Sequence, residues 1–441
     1  SLVSNRFFDN PFESWNPNSN FDANPDIIGY YPVGMHLVAI SSWLTTLAKK
    51  YNSHNIIFLG RDGFLPQKSF EIMRNFNKAN SISSKYLPCS RQALLPVIIN
   101  SKEGFFNLPI SYRSHTPKSI LNLISFCHNI PKNEIESVIY HGGFPPNKKF
   151  NNISNYIAFI EWFTTKIFNK DKLESAKELV SIYYRNNIPS DSIVFDLGYS
   201  GSIAIALDKA VGSSLRHAFI HYDPSSFDDN VKINNAHIDV MYDFVTQNRD
   251  LIRELLVSEL DNQCLGFRKI GNKIEPIFNS ASRSRAEIII MNRIFDNALN
   301  FVSDFSHTFN GVFVSTDIHP QICSAPLEGF LSTQNTTDKS IFNCVRSDDS
   351  VFGNSASISV ADFWASLPDT IFYPYLTFDK NNQTTKFKSL TPDAIINLKN
   401  CLEIYKHPIK VLKYKILSKI SMSRNKRMHY RIKLALPRIP S

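Results

Sequence analysis

The sequence predicts an α/β protein with a Rossmann-like, largely parallel sheet, and three observations carry that prediction. Short apolar runs at residues 55–59 and 192–195 each lead at once into a glycine-bearing turn and then into a helical period. A further apolar run, residues 217–222, follows the second of these units. Strands alternating with helices build parallel sheets covered on both faces, whose ligands bind outside the carboxyl ends of the strands. At 441 residues and 43% hydrophobic content, the chain can fill one large domain or two ordinary ones.

Taken in order, residues 1–25 are rich in Asn, Phe, Pro and Ser without a period and are expected to form an irregular arm. Residues 26–400 follow as one α/β catalytic region. Val38, Ile40, Trp43, Leu44 and Leu47 recur at helical spacing and end on Lys49-Lys50, a helix with its basic residues at the favourable end. Strand 55–59 runs into Gly60-Arg61-Asp62-Gly63, and Phe70, Met73 and Phe76 mark the next helix. Tyr86-Leu87-Pro88-Cys89 suits a short strand closed by Ser90-Arg91. Residues 116–187 are expected to be a helical insertion, with Ile120, Leu123, Ile124 and Cys127 on one face and Leu173, Ala176, Leu179 and Ile182 on another. The clearest unit is strand 192–195, loop 196–202 and helix 203–211. Beyond residue 278, residues 288–301 suit a helix, 313–316 a strand and 332–357 a polar loop, without an evident role.

Composition narrows the classes. With no fixed-period repeat or low-complexity tract, solenoids and propellers drop out. The apolar runs are far shorter than the roughly 18–20 residues that span a bilayer, so no membrane crossing is expected. The six cysteines are scattered without a CxxC pair, and Ser1-Leu2-Val3-Ser4 lacks the order of a signal peptide, which together suggest a reducing, cytoplasmic setting. The net charge of +9 is local: residues 401–441 hold eleven Lys and Arg against one acid, Glu403. That basic amphipathic tail suits a solvated helix packed on its own domain, or a peripheral contact with an anionic inner-membrane surface. Nucleic acid is the weakest reading for it, and none is expected as a partner.

Three loops have the chemistry of anion sites. In Asp196-Leu197-Gly198-Tyr199-Ser200-Gly201-Ser202, Gly198 and Gly201 allow close backbone approach, amides open the next helix, and Ser200 and Ser202 add hydroxyls. Asp196 is placed to accept from a ribose diol or to help hold a metal; the plain alternative is an ordinary strand-to-helix turn. In Gly60-Arg61-Asp62-Gly63, Arg61 could reach a phosphate or pyrophosphate, and Asp62 could touch a divalent cation or merely cap the helix. Ser90 and Arg91 repeat the pairing of a hydroxyl with an arginine. Asp223, ending the strand after the second loop, is a weaker metal or acceptor candidate against a simple turn. Glu254 is either paired with an arginine or available as a base. The twelve histidines form no HExxH or HxH pattern.

Together the blocks FLGRDGF, YLPCSR and IVFDLGYSGSIAIAL resemble the RDG, SR and D-x-G-x-x-G-S/T blocks of bacterial glycan phosphoribosyltransferase (ribofuranosyltransferase) modules, over roughly residues 26–270. Such modules usually sit beside a haloacid-dehalogenase-type phosphatase domain in polysaccharide-assembly proteins. The resemblance implies transfer of ribose 5-phosphate from phosphoribosyl diphosphate (PRPP) to a lipid-linked oligosaccharide or polysaccharide, with release of pyrophosphate, in O-antigen or capsule biosynthesis. It implies the 5-phosphate on Tyr199, Ser200, Gly201 and Ser202, Asp196 on the ribose hydroxyls, pyrophosphate near Arg61 with Mg²⁺, and Asp62 or Glu254 as base. Two features depart from the pattern. Phe195 stands where phosphoribosyltransferases have the first of two adjacent acids, and no DxDxT phosphatase start occurs, so a separate phosphatase is implied. A nucleotide-sugar-dependent glycosyltransferase is one rival. An S-adenosylmethionine-dependent methyltransferase is another, although Tyr199 and Ser200 separate glycines that its turn places alternately.

Overall fold

The computed structural model describes residues 2–7, 19–99, 115–128, 130–131, 133–199, 201–222, 236–242, 250–260, 263–279, 283–310, 318–332, 336–347, 358–366, 376–379 and 384–387. Helix α1 (Leu2–Phe7) precedes the long α2 (Pro25–Tyr51). Asn24 caps α2 by accepting from the Asp26 N–H, and Pro25 presets the first turn. The helix widens over Gly29–Val33, which accommodates Pro32, and ends on Asn52 in a left-handed conformation. There follow β1 (Asn55–Leu59), a tight turn at Arg61–Gly63, α3 (Phe64–Met73), β2 (Ser83–Leu87) and the short α4 (Leu95–Ile98).

Helices α5 (Pro117–His128), α6 (Ile135–His141), α7 (Ile153–Lys166) and α8 (Lys170–Asn187) lead into β3 (Ser192–Tyr199), α9 (Ser202–Val211), β4 (Arg216–Tyr222) and β5 (His237–Val240). Then come α10 (Asp250–Leu255), the hairpin of β6 (Cys264–Ile270) and β7 (Lys273–Phe278), α11 (Arg285–Phe309), α12 (Pro320–Leu331) and the single turn α13 (Thr336–Lys339).

The expected fold class is the observed one. Five strands pair in the order β2-β1-β3-β4-β5, all parallel. Strict alternation divides their side chains between two cores. Ile56, Phe58, Ile193, Phe195, Leu197, Ala218 and Ile220 face α2, α3, α11 and α12. Ile57, Leu59, Leu87 and Val194 face α4, α8 and α9. In this strand order the direction of winding reverses between β1 and β3, so their carboxyl ends open a crevice, the usual ligand position of such sheets.

The structure corrects several boundaries. Part of the expected irregular arm is regular: residues 2–7 are helical, and Phe7 packs edge-on against Tyr30 with ring centres 5.4 Å apart. The buried Asp338 carboxylate accepts from the backbone N–H groups of Asn20, Phe21 and Ala23 at 2.9, 3.2 and 3.1 Å, and from the Ser19 hydroxyl. The stretch 116–187 is built from helices as expected. Helices α5, α6 and α7 close around a core of Ile120, Ile124, Ile135, Phe159 and Phe163, to which α8 adds Leu173. Helix α8 also lays Val180 and Tyr184 on the main sheet and is its covering helix into β3. The expected polar loop at 332–357 contains α13, a turn at Ser340–Cys344 and a strand pairing of Arg346–Ser347 with Ile358–Ser359. Residues 313–316 and the tail 401–441 lie outside the described residues.

By length and composition α2 could cross a membrane, which short apolar runs did not suggest. Most of it is buried in the fold, where Leu37, Val38, Ile40 and Leu44 join the larger core.

Candidate functional site

The crevice between β1 and β3 is built by strands that part company. β1 pairs with β3 only as far as Phe58 and Phe195, whereas β3 continues beside β4 to Tyr199. Among the described residues the β1 side of β3 has no strand neighbour beyond Phe195, and the Leu197 N–H donates to the Asp196 carboxylate at 2.9 Å. Asp196 is 6% exposed at the mouth of this gap.

From the other wall comes the Arg61–Gly63 turn. Gly60 takes φ 51°, donates its N–H to the Leu87 carbonyl at 3.0 Å, and brings its Cα so near the Cys89 carbonyl that a methyl group there would lie 2.7 Å from it. The turn is thereby locked to the end of β2, where Arg91 follows. This brings Asp62 near enough to Asp196, Arg61 and Arg91 for their charges to act on it. Burial is the main cause that raises the Asp62 pKa and the Asp196 charge the second; the Ser258 hydrogen bond and the charges of Arg61 and Arg91 oppose it. Burial likewise raises Asp196, followed by the charge of Glu254, against the Leu197 N–H and Arg91. Two motif blocks 134 positions apart thus meet at one end of the sheet.

A second layer braces the turn. The Ser258 hydroxyl donates to Asp62 Oδ1 at 2.6 Å, the Glu259 N–H to the Arg61 carbonyl at 2.9 Å, and the Leu65 N–H to the Val257 carbonyl at 3.2 Å. Tyr86 donates to Glu259 Oε2 at 2.9 Å. Glu254 stands 3.7 Å from the Arg61 guanidinium, beyond hydrogen-bond distance, with both side chains about a quarter exposed. Sequence reasoning missed Ser258, Glu259 and Tyr86. The signal for one was present: Glu254 and Ser258 are four apart, the spacing that puts two side chains on one helical face.

Other expectations fare differently. Asp62 does not cap α3; it is held by Ser258. The anion loop is shorter than residues 196–202, because Asp196–Tyr199 is strand paired with β4. Gly198 at φ 113° is required by packing, since a methyl group on it would lie 2.4 Å from the His221 carbonyl. Gly63 is likewise pressed against Phe58. Gly201 does open α9 in a left-handed conformation, φ 73°, which sets the start of the helix beside the carboxyl end of β3. Ser90 is committed elsewhere, accepting from the Ala93 N–H at 3.0 Å and donating to the Cys264 carbonyl. Ser200, Asp223 and the Tyr199 side chain lie outside the described residues.

Among the described residues no three His, Cys, Asp or Glu side chains converge to hold a metal ion. Asp62, on which the charge of Asp196 acts, and Asp196, on which that of Glu254 acts, are carboxylates of the kind that suits Mg²⁺, which commonly takes one or two carboxylates and completes its shell with substrate phosphates and water. The paired strand at Asp196–Tyr199 does not suit the glycine-rich turn of a methyltransferase. The chain matches no protein-family model and no curated protein.

Proposed function

We propose that this chain is a glycan phosphoribosyltransferase that moves ribose 5-phosphate from PRPP to a lipid-linked glycan, releasing pyrophosphate in bacterial polysaccharide biosynthesis. The observation that carries the reading is the meeting of Asp62 and Asp196 at the sheet's switch point, flanked by Arg61 and Arg91. A donor with a diol between two phosphate groups calls for carboxylates at its centre and cationic or amide groups at its ends.

In this arrangement the first-turn amides of α9 receive the 5-phosphate, Asp196 accepts from the ribose hydroxyls, and Arg61 and Arg91 meet the diphosphate. Asp62 and Asp196 would hold Mg²⁺, whose charge, when bound, neutralises that growing on the leaving group. The C1–oxygen bond to pyrophosphate breaks as the acceptor oxygen bonds to C1. Arg61, 3.7 Å from Glu254, turns to the diphosphate, and Glu254 takes the acceptor's hydroxyl proton. The product keeps its 5-phosphate, so a separate phosphatase must act next. The basic tail at 401–441 would keep the enzyme on the cytoplasmic face of the membrane, near its lipid-linked acceptor.

Thermal unfolding with PRPP and Mg²⁺ tests the donor. At about 100 times its dissociation constant the ligand adds roughly 2.7 kcal/mol of stability, and Asp196→Asn should abolish the gain. A shift with a nucleotide sugar or S-adenosylmethionine, and none with PRPP, would sink the reading.

A further inference from the structure

Residues 250–260 make two sets of contacts in different directions. Toward the crevice, Glu254 faces Arg61 and Ser258 holds Asp62. Toward the core, Arg253 meets Glu328 of α12 in a two-pronged pair, Nε to Oε1 at 3.0 Å and a terminal nitrogen to Oε2 at 2.8 Å. Both side chains are wholly buried. Beside the apolar Leu327, Phe330 and Leu331, α12 carries a polar row: Gln321 donates to the Met241 carbonyl at 2.9 Å, Ser324 lies 2.9 Å from His36 Nδ1, and Glu328 takes Arg253.

Stability alone is a poor account of this pair, because apolar side chains of similar volume fill such a site without stripping two charges of water. What the pair supplies is orientation. A planar guanidinium on a carboxylate fixes distance and rotation together, which a greasy contact does not. Rotation matters for α10, since Arg253 and Glu254 are neighbours whose side chains diverge by about 100° around a helix. Whatever fixes Arg253 fixes where Glu254 points, and the Ser258 N–H, bonded to the Glu254 carbonyl at 2.9 Å, ties the residue that holds Asp62 to the end of the same helix.

We propose that Arg253 and Glu328 are positioning residues: their buried pair sets the rotation of α10, and α10 thereby holds the Arg61–Gly63 turn in its working geometry. This rests on the phosphoribosyl reading only in taking that turn as part of the site. It also gives α12, in the part of the sequence without an evident role, a task in the crevice.

Hydrogen exchange reads the turn without any ligand, through the Leu65 amide bonded to Val257 and the Glu259 amide bonded to Arg61. The variant Arg253→Met/Glu328→Leu removes both charges together, so that neither is stranded. Exchange of these two amides should speed by about tenfold or more, with amides of β3 and β4 unchanged. Unchanged protection at Leu65 and Glu259, or equal acceleration throughout the sheet, overturns the proposal. The unaltered protein gives a second test: in low denaturant Leu65 and Glu259 should open together with the Ser332 amide that closes α12 on Glu328, and opening well before it would overturn the proposal. Silence of PRPP in thermal unfolding would count against the ligand alone.

Discussion

The two glycine-bearing segments at the crevice look alike in sequence and are built differently. After β1 the chain turns sharply, and its shape is imposed from outside by Leu87, Cys89, Val257, Ser258 and Glu259. After Phe195 the second segment stays in the sheet for four more residues, and Gly198 serves the contact with β4. The first is a braced turn and the second a strand end with a helix start. Glycine in a strand-turn-helix unit marks close approach of something, and in both segments part of that something is the protein's own backbone.

Substituting the glycines breaks this comparison most forcefully. Gly198→Ala meets both a forbidden φ and the His221 carbonyl, and should cost roughly 3 kcal/mol or more in urea denaturation, the sum of backbone strain and overpacking. Gly201→Ala meets a positive φ at a helix start, which costs about 1 kcal/mol. Similar costs would mean that the strand end is no more constrained than the helix start.

The carboxylates sharpen the contrast with a signed prediction. The folded-state pKa of Asp196 lies above its ordinary value of 3.8, so the native protein binds a proton that the unfolded chain has released. Stability therefore falls as pH rises from 3.8 through the raised value. Asp196→Asn removes that loss, and at pH about 8 the variant should be more stable than the unaltered protein by on the order of 1–3 kcal/mol, although it no longer binds the donor. Urea midpoints measured across pH would show the curves converging in acid. A variant less stable than the unaltered protein at alkaline pH would mean that Asp196 is neutralised by the native structure.

Glu254→Gln probes the loosest contact of the braced turn. An ion pair at 3.7 Å with both partners a quarter exposed contributes under about 1 kcal/mol, so the melting temperature should hardly move. Turnover should nevertheless fall by about 10²-fold or more as the base is lost, with little change in donor affinity. An unchanged rate would transfer the role of base to another group.

The sheet was legible because its signal is local: Ile56 to Leu59 and Ile193 to Phe195 are continuous apolar runs between turn residues, and neither needs a distant partner to be recognised. The same locality made Arg61, Asp62, Asp196 and Glu254 visible as candidates. Their convergence was not, because it depends on strand order, and a run of residues does not state its neighbours. Nor did the sequence reveal that Asp196–Tyr199 stays extended, since the partner that holds it is β4, twenty residues on. Ser258, Glu259 and the Arg253–Glu328 pair were hidden for the same reason. A buried ion pair across 75 positions has no periodic signature.

The core's long-range construction also bears on how the protein is made. Helix α2 leaves the ribosome well before the α11 and α12 surfaces that bury it, with Phe301 and Phe330 among them, which come some 250–280 residues later. At about 5–20 residues per second, an apolar helix long enough to pass for a membrane anchor waits on the order of 15–60 s for its cover. During that interval it competes for chaperones and for the membrane-insertion machinery, so synthesis rate and chaperone supply, more than final stability, should govern how much of this protein a cell can accumulate.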